Sequence, residues 1–176
     1  ISSLVKKKIK KSLGWSRANA IVSGAAFLPQ ALIDWYKTLD VNILNGYGMT
    51  ENCCVCSYLD TINKEGKGSV GIPWDAVDIK IGDEGEIWTK SPYLLKEYYK
   101  NKELTAEVMK DGWFNTGDKG YLDDKGYLFI TGRVKDIFKT SKGKYIEPSV
   151  IEAEFEKANL FQQVCVVGLN LPQPIL

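Results

Sequence analysis

Between Gly112 and Glu152 the chain reads GWFNTGDKGYLDDKGYLFITGRVKDIFKTSKGKYIEPSVIE, and the middle of that stretch can fold in few ways. Gly120-Tyr121-Leu122 and Tyr127-Leu128-Phe129-Ile130 are aromatic and β-branched runs, and Asp123-Asp124-Lys125-Gly126 between them has the composition of a tight hairpin loop. Two antiparallel strands are predicted. Asp118 precedes the first and Arg133 follows the second, so strand pairing carries a carboxylate and a guanidinium to the same end of the ladder. A carboxylate accepts hydrogen bonds from a vicinal diol, and a guanidinium donates a planar fork to hydroxyl or phosphate oxygens, so the pair suits a ribose. A turn with a surface ion pair is the other reading of these residues, because such pairs are common and contribute only about 0–1 kcal/mol.

A second motif lies upstream. Val41-Asn42-Ile43-Leu44 is a compact apolar strand candidate that runs into Asn45-Gly46-Tyr47-Gly48-Met49-Thr50-Glu51. The glycines allow close approach of backbone to a ring or a phosphate, and Tyr47 offers a face for stacking. The Thr50 hydroxyl can donate to a phosphoryl oxygen, and Glu51 is a hard oxygen ligand for a magnesium ion shared with that phosphate. A glycine-rich turn into a helix whose first turn carries a glutamate would look similar.

These motifs, with Ser23-Gly24-Ala25-Ala26 before them, stand in the order found in the AMP-forming acyl-CoA synthetase and adenylation superfamily, which the chain resembles along essentially its whole length. Lys139 to Pro148, KTSKGKYIEP, most resembles the long-chain fatty acyl-CoA synthetase branch. The resemblance implies that Gly24, Ala25, Asn45, Gly46 and Tyr47 cradle adenine, that Thr50 holds the α-phosphate and that Glu51 holds magnesium. It further implies that Asp118 and Arg133 take the ribose, that Lys135 is the pivot of a mobile C-terminal domain and that Lys139 works near the thioester-forming geometry. One residue more than the commoner pattern separates Lys139 from Gly143, which loosens the match of Ser141, Lys142 and Gly143 to the loop that contacts pantetheine.

The implied chemistry runs in two steps, with ATP, a fatty acid and coenzyme A as substrates. The carboxylate attacks the α-phosphorus and expels pyrophosphate; the coenzyme A thiol then displaces AMP from the acyl-adenylate. Other adenylate-forming ligases, such as aryl-CoA ligases or carrier-loading adenylation domains, share the motifs, as does a non-catalytic nucleotide-binding homologue. A Ser/Thr/Gly-rich pyrophosphate loop and a near-terminal lysine, both expected of the family, are not found in these 176 residues. The chain is therefore expected to be a piece of a longer enzyme, inactive alone. Exposed apolar surface at both ends then predicts a non-native dimer.

The predicted fold class is α/β followed by α+β. Residues 1–75 alternate helix and strand signals, as in the end of a large α/β domain: the amphipathic Leu4, Val5, Ile9, Leu13 stretch, a strand at Ala20-Ile21-Val22 and a helix opening at Pro29-Gln30. Residues 76–132 read as a small antiparallel β subdomain, with strands at Val77–Ile81 and Glu86–Thr89 and a short helix over Asn101–Met109. Residues 133–176 read as the start of a small C-terminal α+β domain: a strand near Ile137-Phe138, a helix from Pro148 through Ala158 and a strand at Val164–Val167.

Charge excludes some partners. A net charge of +1 gives no global field for nucleic acid. The lysines at 6, 7, 8, 10 and 11 read as a solvated helix face, with peripheral membrane contact as the lesser alternative. With no histidine there is no imidazole metal site and no Ser-His or Cys-His nucleophile. Cys53, Cys54, Cys56 and Cys165 lack the paired spacing of a zinc site and read as free thiols, which suits a cytoplasmic protein.

Overall fold

A computed structural model describes residues 2–26, 28–60, 65–156, 158 and 163–176. It is mixed α/β, with mostly antiparallel sheets. Helix α1 (Ser3–Ser12) carries no acidic residue and buries none of its side chains fully. Of its apolar positions, Ile9 packs onto the core cluster Leu39, Val41 and Ile43, whereas Leu4, Val5 and Leu13 are exposed. Its lysines are partly committed, since Lys6 Nζ pairs with Asp40 at 2.9 Å and Lys10 Nζ donates to the Asp40 carbonyl. Among the described residues no helix is long and apolar enough to cross a membrane.

Strand β1 (Val22–Ser23), helix α2 (Gln30–Thr38) and strand β2 (Leu44–Tyr47) follow, then β3 (Ser57–Asp60) and β4 (Ile72–Pro73). They form one sheet in the order β1-β2-β3-β4, in which only β1 and β2 run parallel. Both early strands begin later than the apolar runs suggest. Val41 and Ile43 are buried, but ladder pairing starts at Leu44, where Val22 stands opposite and Ile21 O accepts the Leu44 N–H.

The second sheet holds β5 (Asp78–Ile81), β6 (Glu86–Lys90), β7 (Met109–Lys110), β8 (Trp113–Leu122) and β9 (Leu128–Arg133), with α3 (Lys102–Val108) between β6 and β7. The ten residues of β8 pair with β6, β7 and β9. Gly120 is required there: a Cβ would press into the Phe129 carbonyl across the ladder. The core between the sheets is built from Tyr47, Cys56, Val77, Ile87 and Leu128. The Asn101 side chain caps α3 by accepting from Leu104 N at 3.1 Å, so Asn101→Ala should cost about 1 kcal/mol in a urea melt; an unchanged midpoint would remove the cap from the account.

Beyond β9, Val134–Asp136 makes one 3-10 turn, β10 (Phe138–Lys139) pairs with β11 (Tyr145–Ile146), and α4 (Pro148–Glu156) returns against β9 through Ser149 Oγ on Thr131 O. The helix expected through Ala158 is described as far as Glu156; position 157 lies outside the described residues. The strand expected at Val164–Val167 does not form. Only an isolated bridge joins Val167 to Ile175, because the Val166 N–H goes to Glu152 Oε1 on α4 rather than to a ladder.

Candidate active site

The hairpin delivers its two charged residues as neighbours. Asp118 and Arg133 are opposite one another in the β8–β9 register, and Arg133 Nε lies 3.1 Å from Asp118 Oδ1. The other carboxylate oxygen accepts a hydrogen bond from Tyr47 Oη at 2.6 Å, from a residue 71 positions earlier at the end of β2. Asp118 is only 14% exposed in its side chain, whereas Arg133 is 64% exposed. A largely buried carboxylate is therefore fixed from two sides while the guanidinium stays accessible.

Local backbone explains the fixing. Asn115 Oδ1 accepts the Gly117 N–H, and Gly117 adopts φ +75°, a region glycine enters without the usual Cβ penalty. The Thr116 hydroxyl accepts the Asp118 N–H and itself donates to the Ile87 carbonyl on β6. Thr116 is thus a brace, a role that the Thr-Gly-Asp sequence does not announce.

Tyr47 also has a structural role. The residue is buried, and its ring packs with Cys56, Val77, Ile87 and Leu128. Burial first, and then the Asp118 charge beside it, push the phenol well above its ordinary range. The unfolded chain loses this proton near pH 10 and the folded chain keeps it. Stability should therefore be whole below about pH 10 and decline above it, by about 1.4 kcal/mol per pH unit for one such group. Tyr47→Phe should flatten the alkaline fall of the urea midpoint; an equally steep fall in the variant would contradict this.

The segments expected to cradle a nucleobase lie side by side. Ser23 stands opposite Asn45 in the parallel pair, and a Cβ on Gly24 would meet the Gly46 carbonyl at 3.0 Å. Gly24 and Ala25 are exposed, with Ala25 at φ 65°. The Asn45 amide is buried and donates to the Ser69 carbonyl. Gly46 has ordinary room for a Cβ; Gly48 does not, since a Cβ there would come within 2.7 Å of Cys54 Cα.

Thr50 and Glu51 occupy a one-turn 3-10 segment, Thr50–Asn52, in which Met49 N donates to Asn52 Oδ1. Thr50 is exposed. Glu51 is held twice by a segment the motifs did not single out: Leu95 N donates to its carbonyl at 2.6 Å, and Tyr98 Oη donates to its Oε1 at 2.8 Å. Burial, and then the Glu51 carboxylate, push the Tyr98 phenol up to about 12. A single carboxylate positioned by a phenol suits magnesium, which takes one or two carboxylates together with phosphate and water oxygens. Among the described residues no group of three or more acidic or cysteine side chains gathers as an all-protein cage. Among the described residues buried Asn52 Nδ2 has no hydrogen-bond partner.

Lys135 belongs to the 3-10 turn directly after Arg133; its side chain lies outside the described residues. Lys139 stands apart on the β10–β11 ribbon, with Nζ 5.2 Å from the centroid of the Tyr145 ring. Tyr47, Asp118 and Arg133 are thus in direct contact, with Thr50 and Glu51 three and four residues beyond Tyr47; the described contacts do not bring Lys139 to them.

Comparison with known proteins gives concordant matches. The profile of a family described as AMP-binding enzyme matches residues 3–99. The long-chain-fatty-acid–CoA ligase FadD15 of Mycobacterium bovis is 36% identical over 165 residues, which cover 94% of this chain and 27% of that protein. The chain thus spans about a quarter of that relative's length. Among solved structures, a Mycobacterium tuberculosis fatty acyl CoA synthetase aligns with TM-score 0.66 and 30% identity, over 93% of this chain and 36% of that one. The O-succinylbenzoate coenzyme A synthetase of Bacillus subtilis, in complex with ATP and magnesium, aligns with TM-score 0.80 and 26% identity, over 96% and 39%.

Proposed function

The chain belongs to the AMP-binding enzyme family, and from that premise we propose that it is part of an AMP-forming acyl-CoA ligase that activates a long-chain fatty acid. The observation that carries the reading is Asp118, a largely buried carboxylate held by Tyr47 and Arg133 at the strand end that leads to the Thr50–Glu51 turn. Asp118 accepts the ribose hydroxyls, and Arg133 donates to ribose or phosphate oxygens. Thr50 donates to the α-phosphate. Glu51, kept in place by Tyr98, would hold magnesium, which supplies positive charge to the phosphates. With the nucleotide fixed in this way, the fatty carboxylate meets the α-phosphorus, pyrophosphate leaves, and the coenzyme A thiol then takes the acyl group from AMP. Catalysis of this kind rests on placing donors and charge where negative charge develops. Lys135 follows Arg133 at the pivot of the C-terminal part, 133–176, and Lys139 belongs to the thioester-forming arrangement.

Long-chain acids as substrate are supported by the name of the 36% identical relative. An aromatic acid is the second reading, favoured by the higher TM-score of the O-succinylbenzoate enzyme. An enzyme carrying this chain within the full length of its relatives should form AMP from ATP with palmitate, dependent on coenzyme A, and not with o-succinylbenzoate. The reverse preference would select the aromatic reading, and no AMP with either acid would leave a nucleotide-binding protein without turnover.

A further inference from the structure

Four thiols are described, and their surroundings separate them. Cys56 has no exposed surface, lies 4.0 Å from the Thr89 hydroxyl, and is pushed up to about 11 chiefly by burial. Cys165 is exposed but solitary. Cys53 and Cys54 are consecutive and both exposed, and neither has a part in the chemistry proposed above.

Their backbone is unusually constrained. Both residues take left-handed φ values, 55° and 60°. Cys53 N donates to the Thr50 carbonyl at 3.1 Å and Cys54 N to the Met49 carbonyl at 2.8 Å, so both amides close the same turn. The lack of room for a Cβ on Gly48 shows how tightly the Cys54 backbone sits on the strand it leaves. Two neighbouring thiols therefore emerge from one fixed surface turn.

We propose that Cys53 and Cys54 form a two-thiol capture site for trivalent thiophiles of the organoarsenoxide class. Both thiols give their protons to the arsenoxide oxygen, two S–As bonds replace the bonds to oxygen, and one water leaves. Arsenic stays trivalent, so no oxidant or reductant is needed. An arsenic–sulfur bond to one thiol exchanges readily with thiols in solution. On a fixed turn the second thiol recaptures the arsenical before it escapes, which can strengthen retention by about 10²-fold or more over a single thiol. Pre-set backbone lowers the ordering cost of the chelate. Cys165, with one thiol, lacks this second arm.

The test uses the pre-reduced chain, freed of reductant and treated with one equivalent of phenylarsine oxide, with adducts counted by intact mass. One adduct per chain is expected, surviving excess 2-mercaptoethanol and released by 2,3-dimercaptopropanol. Cys53→Ser and Cys54→Ser should each reduce retention against the monothiol by about tenfold or more, while Cys165→Ser leaves it unchanged. Circular dichroism of each variant checks that the fold is kept. An adduct as durable in the Cys53→Ser/Cys54→Ser double variant as in the wild type would overturn the proposal, as would removal of the wild-type adduct by 2-mercaptoethanol. The mass readout is independent of whether the chain is part of a ligase.

Discussion

Asp118→Ala, made in an enzyme of the full length its relatives have, should lower kcat/KM for ATP by about 10²–10³-fold, equivalent to about 2.7–4 kcal/mol of transition-state stabilisation. Folding should suffer less. The substitution leaves the Tyr47 hydroxyl buried without its acceptor, a loss of about 1–3 kcal/mol, and it frees an Arg133 that is already mostly exposed. Asp118→Asn separates the two effects, because an amide oxygen can still accept from Tyr47 while the negative charge opposite Arg133 is gone. Its urea midpoint should recover towards wild type and its ATP kinetics should stay impaired. Wild-type kinetics in Asp118→Ala would refute the ribose assignment.

Glu51→Gln should be almost as damaging to turnover and nearly silent in stability. A glutamine oxygen can still take the Tyr98 hydroxyl, and the Leu95 bond to the backbone carbonyl is untouched, so the turn should remain in place. The lost charge matters to a magnesium ion shared with phosphate. A fall of about 10²–10³-fold in kcat is expected, with the magnesium concentration needed for half-maximal rate shifted upward. Stability should move by no more than about 0.5 kcal/mol. A variant with unchanged magnesium dependence would take Glu51 out of the metal role.

The hairpin was legible because its information is local. Turn residues at 123–126 set the pairing and carried Asp118 and Arg133 to the same end of the ladder; a register shift between Lys119 and Gly120, which the turn does not announce, sets them directly opposite. The cap of α3 was equally local. Contacts between distant segments were not legible. Nothing in Tyr47 signalled that its hydroxyl would reach Asp118 from another sheet, and Tyr98 carried no spacing that tied it to Glu51. An expectation based on an apolar run failed where hydrogen-bond partners decided the outcome: in Val164–Val167 the Val166 N–H goes to Glu152 on α4, and an isolated bridge from Val167 to Ile175 stands where a strand was expected. The place of Tyr47 in the core was equally hidden, since only folding reveals that its ring packs there.

The account turns on Asp118 reading the sugar of the nucleotide, and the analogue 3′-deoxy-ATP probes that contact alone. The ratio of kcat/KM for ATP to that for 3′-deoxy-ATP should be about 10-fold or more in the wild-type enzyme and collapse towards one in Asp118→Ala. A ratio that survives the substitution unchanged would show that some other group holds the ribose.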